Sequence, residues 1–569
     1  MAAGKLKWWQ KTLVYEVYVK SFLDTRGAGT GTIAGVTAKL DYLQSLGVGA
    51  LWLTPVFASP MVDNGYDVSD FCAIDPSFGT MDDMDRLIAQ AGQRGIRIVL
   101  DLVLNHTSEE CPWFMASAAS RTGAYADWYI WRDPAPDGGA PTNWRSVFGG
   151  PAWEYVPARG QYYLHTFAKE QPDLNWENPA VRDAMCQVGT FWLDRGAGGF
   201  RIDSVSYLKK PAFTDGPADG TDGLAGIDLA CANTPGVLDF VKEFYTRVLA
   251  GRDVFAVGEA NRVRARELAQ WVGRARALDM VFEFSHLQLI MGDGEVWCRA
   301  PAWQLADLKR VLADDERRTA RQGWLPVFFE CHDQPRAVSN FFAPGVDRQA
   351  AAKALACVLL TLRGTPFIYQ GQELGLTNAQ WPGLSSFDDG LTRGQYQRAR
   401  DEGFSADAAL DVVRRFSRDN ARTPMQWNGG PNAGFTTGTP WLPVHADYRQ
   451  QNAAGEDADL CSVLNWYRFL ACLRLEHSEL VDGDFHLLLR TDAQVFAYAR
   501  ENRTARAVVL VNFTDAPATY RASLVGGMRL IADFRAAVDA QPGSAAGATE
   551  TLPGVLAPLQ AVVYERPAR

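Results

Sequence analysis

Short runs of β-branched and aromatic residues alternate with longer segments of helical period from Val14 onward. This alternation is typical of a parallel sheet in which a helix connects each strand to the next. Eight runs are predicted to be strands: residues 14–20, 50–55, 96–105, 199–203, 254–259, 279–284, 326–333 and 366–369. Eight parallel strands joined by helices form a TIM (β/α)8 barrel, so we expect an α/β fold of this type.

Amphipathic segments between the predicted strands are expected to form the outer ring of helices. Residues 33–46 and 80–94 have the apolar periodicity of a helix that is buried on one face. Thr80 is followed three residues later by Asp83, as in a capping box at a helix start.

Two long segments interrupt the alternation. Residues 111–175 are too many for one helix and are rich in Trp, Pro, Gly and Tyr, so we predict an inserted subdomain over the barrel mouth after strand 3. Residues 377–438 follow the eighth strand, and within them the charged stretch 390–404 is predicted to be a solvated helix.

The pattern changes again after about residue 485. Apolar and polar residues alternate over 495–500 and 507–513, and a Gly/Ala-rich loop is predicted near 543–547. This pattern favours a C-terminal antiparallel β domain. The predicted division is a barrel of residues 1–106 and 176–484, an inserted subdomain of residues 107–175, and a β domain of residues 485–569.

Composition excludes several classes of protein. The 66 acidic residues outnumber the 56 basic ones, which argues against a nucleic-acid partner. Nine cysteines without a CxxC pair favour a reducing compartment and give no reason to expect a metal cluster or other cofactor. No apolar run is long enough to span a bilayer, and the first residues lack the apolar segment of a signal peptide, so we expect a cytoplasmic protein with no membrane partner.

Polar residues end four of the predicted strands, where the loops of a barrel converge on one mouth. The ends read DLVLNH (residues 101–106), GFRID (199–203), VGE (257–259) and FECHD (329–333). One such carboxylate alone is commonly a helix cap or an ion-pair partner. Three together suit glycoside hydrolysis, in which retaining enzymes hold two carboxyl groups about 5–5.5 Å apart.

These four segments resemble the conserved regions of glycoside hydrolase family 13, the α-amylase family, and the resemblance covers nearly the whole chain. Within that family the similarity is to the oligo-1,6-glucosidase and α-glucosidase branch. Further segments carry it: GVGALWLTP (47–55), DNGYDVSD (63–70), QPDLNW (171–176), GTPFIYQGQELG (364–375) and SRDNARTPMQW (417–427).

The resemblance implies a catalytic triad. Asp203 is expected to be the nucleophile, Glu259 the general acid/base, and Asp333 the residue that steadies the distorted sugar. Arg201 precedes Asp203 by two residues, so both side chains share one face of a strand and the cation can keep the nucleophile ionised. Glu259 must hold a proton near neutral pH, which requires burial or nearby negative charge.

The resemblance also implies a glucose pocket that is closed at one end, so that attack is from the chain end. His106 and His332 are expected to donate hydrogen bonds to sugar hydroxyls, although a lone histidine is commonly a core residue. The other expected pocket residues are Tyr66 as stacking platform, Asp63 as hydroxyl acceptor, Arg418 or Arg422 as partner of Asp63, and Phe148 and Phe167 as lining residues, for which subdomain core is the alternative.

Ser204, directly after the expected nucleophile, bears on the linkage that is cleaved. Relatives specific for α-1,6 bonds have Val there, whereas a small hydroxylated residue is typical of α-1,4 activity. Asn261 points the same way, since dextran-cleaving relatives tend to have Trp. We therefore expect an α-glucosidase of short α-1,4 oligosaccharides with some α-1,6 activity. The alternative enzyme is an oligo-1,6-glucosidase. The alternative role of Ser204 is a hydrogen bond to the backbone at the strand end, with no effect on linkage.

Other members of the superfamily are less favoured. A sucrose isomerase or glucosyltransferase would share the triad, but the charged RLDRD-type loop is replaced by QPRAVSNFF (residues 334–342). A trehalose-6-phosphate hydrolase is expected to have Ala at Pro172. A non-catalytic scaffold would have a transmembrane helix and an incomplete triad. The expected partner is a small oligosaccharide, and the sequence leaves monomer and homo-oligomer equally open.

The loop after the first strand bears on metal binding. Many relatives bind calcium through a run resembling DxNxDGxGD, in which oxygen ligands alternate. Here the aligned stretch reads DTRGAGTGT (residues 24–32), which keeps only the first acid. We expect no metal at this loop, with the charge of Arg26 offsetting that of Asp24.

Overall fold

The computed structural model describes residues 6–273, 277–291, 296–320, 323–535 and 554–568. Eight parallel strands form one sheet. They are β1 Val14–Val17, β2 Ala50–Leu53, β3 Arg97–Val103, β4 Gly199–Asp203, β5 Phe255–Glu259, β6 Met280–Phe282, β7 Pro326–Val327 and β8 Thr365–Tyr369. The order is β6-β5-β4-β3-β2-β1-β8-β7, in which the first and last segments of the barrel are neighbours. The predicted (β/α)8 barrel is confirmed.

Close packing at the centre of the sheet requires glycine at the start of β4. Gly199 has φ +149°, and a Cβ there would lie 2.0 Å from the carbonyl oxygen of Phe255 on β5. The parallel register then places Arg201 opposite Asp101 on β3 and opposite Val257 on β5. The buried Arg201 side chain contacts an acidic residue on each neighbouring strand, Asp101 of β3 and Glu259 of β5.

The two strands at the ends of the sheet order, β6 and β7, meet through side chains. Among the described residues no backbone pairing joins them. The ring of Phe282 lies 4.9 Å from that of Phe328 and 5.0 Å from that of Phe367, both edge-on. The barrel thus closes here through interlocked aromatic rings.

Helices surround the sheet. The predicted capping box is present, since Thr80 and Asp83 bond each other's backbone amides. The predicted helix 33–46 is divided at Lys39, which leaves helical geometry and packs its ammonium group 4.0 Å from the Trp427 ring centre. The helices are Trp8–Lys11, Ile33–Ala38, Leu40–Ser45, Met81–Gln93, Pro112–Ala118, Pro179–Asp194, Ile227–Cys231, Val237–Phe244, Leu268–Val272, Ser285–Met291, Leu305–Thr319, Ala337–Phe341, Arg348–Thr361, Gly390–Asp401, Ala406–Phe416, Asp419–Arg422, Ala453–Ala458, Val463–Glu476 and Ser478–Asp482.

Further β regions accompany the barrel, and the two with three or more strands in the described residues lie after β3 and at the C-terminus. Between β3 and β4, strands Trp131–Arg132, Trp153–Val156 and Gln161–Leu164 form a small antiparallel sheet. At the C-terminus an antiparallel sheet has the order β9-β10-β11-β13-β12, built from β9 Asp484–Leu488, β10 Val495–Glu501, β11 Ala505–Asn512, β12 Arg529–Asp533 and β13 Ala561–Pro567.

The predicted loop near 543–547 lies outside the described residues, and the exact domain boundaries stay a prediction. No helix in the described ranges has both the length and the apolar character needed to cross a membrane.

Candidate active site

One cavity at the carboxyl ends of the strands gathers most of the predicted site residues. Asp203 and Glu259 are the last residues of β4 and β5, and Asp333 lies in the loop after β7. The predicted residues that line the cavity are Asp63, Tyr66, His106, Phe148, Phe167, Arg201, Asp203, Ser204, Glu259, Asp333 and Arg418. His332, which was also predicted, is buried behind the lining.

Arg201 links the acidic residues of three strands. Its Nη1 donates to Asp101 at 2.9 Å and to Asp203 at 2.7 Å, and its Nη2 donates to Glu259 at 2.6 Å. Burial raises the pKa of Asp203, and the ion pair with Arg201 opposes that shift. One guanidinium group therefore fixes the separation and relative orientation of Asp203 and Glu259.

Glu259 has the environment of a proton carrier. Burial raises its pKa to about 7, with Arg201 opposing the shift and the negative charges of Asp203 and Asp333 reinforcing it. The backbone amide of Ser204 donates to Oε2 at 3.2 Å, and Asn261 donates to Oε1 at 3.2 Å. The carboxyl group is thus held in place while it remains partly protonated near neutral pH.

Asp333 has the opposite environment. Burial opposes ionisation, but His332, Arg418 and Arg422 together hold the pKa of Asp333 well below its usual range. Arg422 Nη2 lies 2.9 Å and Arg418 Nη1 lies 3.1 Å from Oδ1, while His332 Nε2 lies 2.9 Å from Oδ2. Asp333 therefore presents a fixed negative charge to the cavity.

His332 contacts protein groups through both ring nitrogens, which differs from the expected contact with sugar. Its Nδ1 lies 2.6 Å from Glu16, and its Nε2 faces Asp333 and, at 2.6 Å, the Tyr66 hydroxyl. Burial favours the neutral ring, but Asp333 and Glu16 raise the pKa of His332 to about 9. The imidazolium positions Asp333 and Tyr66 from behind.

Tyr66 forms one wall of the cavity. Its ring is stacked on that of His332, with centroids 5.5 Å apart and planes 10° apart. Its hydroxyl donates to Asp101 at 2.9 Å, and the indole of Trp52 donates to the same oxygen at 3.1 Å. The orientation of this aromatic face is therefore fixed from behind before any ligand binds.

The choice between Arg418 and Arg422 is resolved geometrically. Arg418 Nη2 lies 3.3 Å from Asp63 Oδ1, whereas Arg422 bonds Asp333 and the carbonyl of His332. Arg418 also contacts Asp389 at 2.6 Å. Burial raises the pKa of Asp63 to about 6, so this carboxyl group can exchange between acceptor and donor roles.

His106 and the two phenylalanines lie on the subdomain side. Burial lowers the pKa of His106 to about 4, so its ring is neutral, and the Gln171 amide lies 3.2 Å from its Nε2. Phe167 lies 5.2 Å from the His106 ring and 5.9 Å from Phe148, while Arg418 lies 5.1 Å from the centre of Phe148. The phenylalanines therefore belong to the cavity wall as well as to the packed subdomain.

Ser204 adopts a left-handed conformation, with φ +45° and ψ +35°. This geometry turns its amide toward Glu259, and it is unfavourable for β-branched residues. Ser204 therefore contributes its backbone to the site in addition to a small side chain.

In the loop after β1, Asp24 is held by groups other than the Arg26 side chain. Asp24 accepts bonds from the backbone amides of Arg26, Gly27 and Gly29 at 2.7–3.0 Å and from the Thr436 hydroxyl at 2.6 Å. The guanidinium of Arg26 instead donates to the carbonyl of Pro76 at 3.0 Å. The expected charge pair with Asp24 is therefore wrong; amide and hydroxyl hydrogens surround the carboxylate.

Comparison with protein families agrees with this arrangement. A family model described as the α-amylase catalytic domain matches residues 16–483, which is most of the chain. The chain belongs to the α-amylase family. As a member of that family it is a glycoside hydrolase.

Individual relatives within the α-amylase family cover nearly the full length. The oligo-1,6-glucosidase of Parageobacillus thermoglucosidasius is 42% identical over 517 residues, 90% of this chain and 92% of that protein. The trehalose-6-phosphate hydrolase of Escherichia coli K12 is 42% identical over 514 residues, 89% of this chain and 91% of that protein. Among solved structures, the isomaltulose synthase SmuA of Protaminobacter rubrum is 36% identical with a TM-score of 0.92, covering 100% of both chains.

Several residues of this α-amylase-family site were not singled out from the sequence, among them the charged or amide residues Glu16, Asp101, Gln171 and Asp389. Asp101 and Gln171 lie in the family segments DLVLNH and QPDLNW, so the sequence contained a pattern that could have identified them as site residues. Glu16 was detectable as a lone acid in the buried strand β1. Asp389 caps the helix Gly390–Asp401, which was predicted to be solvated, and nothing local indicates that the cap also contacts Arg418.

Proposed function

We propose that the protein is a retaining, exo-acting α-glucosidase, with Asp203 as nucleophile, Glu259 as general acid/base and Asp333 as the stabiliser of the distorted sugar. The observation that carries the proposal is the contact of Arg201 with both Asp203 and Glu259. A single guanidinium group that bonds both carboxyl groups supports the short separation used by retaining enzymes.

The electrostatics support this division of roles. Asp203 attacks the anomeric carbon as a carboxylate while Glu259 gives its proton to the departing oxygen, leaving a glucosyl ester on Asp203. Glu259, now ionised, then takes a proton from the water that cleaves the ester. A pKa of about 7 for Glu259 suits both steps.

Exo action is supported by the contacts around Asp63. Asp63 is buried, bonds Gln171 at 3.1 Å and pairs with Arg418, which is itself held by Asp389. These groups form a polar end wall beside the Tyr66 platform. A terminal glucose can place its hydroxyl groups against this wall, whereas a continuing chain would meet buried ion pairs.

The proposed substrates are short oligosaccharides joined by α-1,4 bonds, with additional cleavage of α-1,6 bonds. The small side chain of Ser204, which lines the cavity beside Glu259, supports the α-1,4 activity. The relatives named oligo-1,6-glucosidase favour the α-1,6 reaction as the second candidate.

Hydrolysis is proposed over isomerisation of sucrose, although several similar structures are sucrose-converting synthases. In the segment after Asp333, Arg336 is buried and donates to the carbonyls of Gln370 and Ala421. It therefore does not supply a charged side chain at the cavity. Arg262, which does line the cavity, donates to Oδ2 of Asp228 through both Nε and Nη2.

One experiment tests the reaction and its nucleophile together. Glucose release is compared across maltose, isomaltose, sucrose, trehalose, trehalose 6-phosphate and longer oligosaccharides, and the intermediate is trapped with a fluorinated glucosyl donor. We expect release of α-glucose and a label on Asp203, and Asp203→Asn should lower turnover by several orders of magnitude. A label on another residue would overturn the assignment, and products dominated by sucrose isomers would replace hydrolysis by isomerisation.

A further inference from the structure

Three potential metal ligands meet between the barrel and the C-terminal sheet, away from the active site. His477 precedes the helix Ser478–Asp482, Glu479 lies in its first turn, and Glu565 lies on β13. Nδ1 of His477 is 3.3 Å from Oε1 of Glu479 and 3.0 Å from Oε1 of Glu565. The ligand atoms of all three residues lie within 4.8 Å of one another.

A proton on His477 leaves this cluster incompletely satisfied. Nδ1 carries at most one hydrogen, and Glu565 is positioned to accept it at 3.0 Å. Glu479 is 2% exposed, and its Oε1, although 3.3 Å from the same nitrogen, accepts no hydrogen bond of good geometry from the described part of the chain. A buried carboxylate oxygen without a hydrogen bond is destabilising, and a cation shared by all three groups would satisfy it.

We propose that His477, Glu479 and Glu565 bind one Zn²⁺ ion, with water as the fourth ligand. Zinc bonds of about 2.0–2.2 Å in a tetrahedron place neighbouring ligand atoms about 3.3–3.6 Å apart. The separations of 3.3 and 3.0 Å match this spacing to within a few tenths of an ångström. Because calcium and magnesium prefer sites made of oxygen alone, the imidazole ligand favours zinc.

The surroundings fit a structural zinc site. Arg529 lies 3.1 Å from Oε2 of Glu565, which orients that carboxylate and leaves Oε1 directed at His477. His477 and Glu565 are only partly buried, so a water ligand can enter. Since His477 and Glu565 are 88 residues apart, the ion would cross-link the end of the barrel segment to the last strand of the C-terminal sheet.

The test uses the full-length protein after metal removal, titrated with ZnCl₂ and, separately, with Co²⁺ as a visible probe. We expect one equivalent of either metal, the strong visible absorption of tetrahedral Co²⁺, and a rise in melting temperature of about 2 °C at a hundredfold excess over Kd. Absence of any zinc-dependent rise in melting temperature would overturn the proposal.

Variants separate this site from other zinc ligands. His477→Ala and Glu565→Gln should each lose the bound equivalent and the temperature response while keeping the parent activity without metal. His486→Ala removes an exposed histidine of β9 and should change neither. Zinc bound instead by Glu16, Cys331 and His332 beside the cavity would inhibit the enzyme and persist in His477→Ala; that result would also overturn the proposal.

Discussion

Nη2 of Arg201 lies 2.6 Å from Oε2 of Glu259, yet the pKa of Glu259 is about 7 because burial outweighs this contact. The arginine therefore orients the expected proton donor without ionising it completely. The same guanidinium contacts Asp203 through its other terminal nitrogen, so nucleophile and acid are positioned by one rigid group.

The pH dependence of the first chemical step follows from Glu259. The protonated fraction of a group with a pKa of about 7 falls as pH rises through that value, so kcat/KM for maltose should decline above about pH 7. Rates between pH 5 and 9 measure this limb. α-Glucosyl fluoride needs no protonated leaving group, so its alkaline limb should be absent; an identical decline for both substrates would assign the limb to another group.

Asp389 is expected to act through Arg418. Asp389→Asn keeps a side chain that can cap the helix Gly390–Asp401 but removes the charge 2.6 Å from Arg418, freeing that arginine to move toward Asp63 and Asp333. KM for maltose should rise about tenfold, equivalent to about 1.4 kcal/mol. The matched control is Asp347→Asn, a cap of the helix Arg348–Thr361; an equal rise in KM there would remove the specific role of Asp389.

Ser204 is expected to influence linkage preference. Ser204→Val should raise the ratio of kcat/KM for isomaltose to that for maltose by roughly tenfold, if about 1.4 kcal/mol of transition-state binding is involved. The Val substitution should also lower the melting temperature, because the left-handed backbone conformation at this position is unfavourable for β-branched residues. Ser204→Ala removes the hydroxyl without branching and serves as control. A parent enzyme that hydrolyses isomaltose and ignores maltose would contradict this interpretation.

Asp24 should stabilise the β1 loop without calcium. Burial opposes its ionisation, but hydrogen bonds from Thr436 and backbone amides lower the pKa of Asp24 in the folded protein. Its contribution is therefore complete above the unfolded value of about 3.9 and is lost as pH falls through the lower folded value. Asp24→Ala should cost about 1–3 kcal/mol at pH 7.

Thermal denaturation at several pH values measures this contribution. The difference in melting temperature between parent and Asp24→Ala should shrink below about pH 4, whereas Asp41→Ala, which removes an exposed carboxylate, should have little effect. Millimolar Ca²⁺ should leave the parent unchanged. A calcium-dependent rise in the melting temperature that is lost in Asp24→Ala would contradict the prediction that this loop binds no metal.

The sequence was most informative where one backbone pattern repeats. All eight barrel strands were located, because each is a short buried run followed by a helical segment, and four of the predicted runs end in recognisable polar residues. The strand-end position of Asp203 and Glu259 followed directly from this periodicity.

Contacts between distant loops were not predictable in the same way. Asp389 and Arg418 are 29 residues apart, and their pairing depends on how the segment after β8 folds over the barrel. The location of His332 behind the cavity depends on Glu16, which lies 316 residues away in sequence. Local pattern indicates that such residues are unusual, but it does not say which partners they meet.

The junction of β6 and β7 has a consequence for how the substrate pocket can change. Elsewhere in the sheet a shifted strand would break a ladder of hydrogen bonds, but here Phe282 and Phe328 provide the contact through their rings. Both rings also line the cavity. Substitutions at this junction can therefore alter the pocket without disturbing backbone pairing between β6 and β7, which makes it a favourable place to redesign substrate preference.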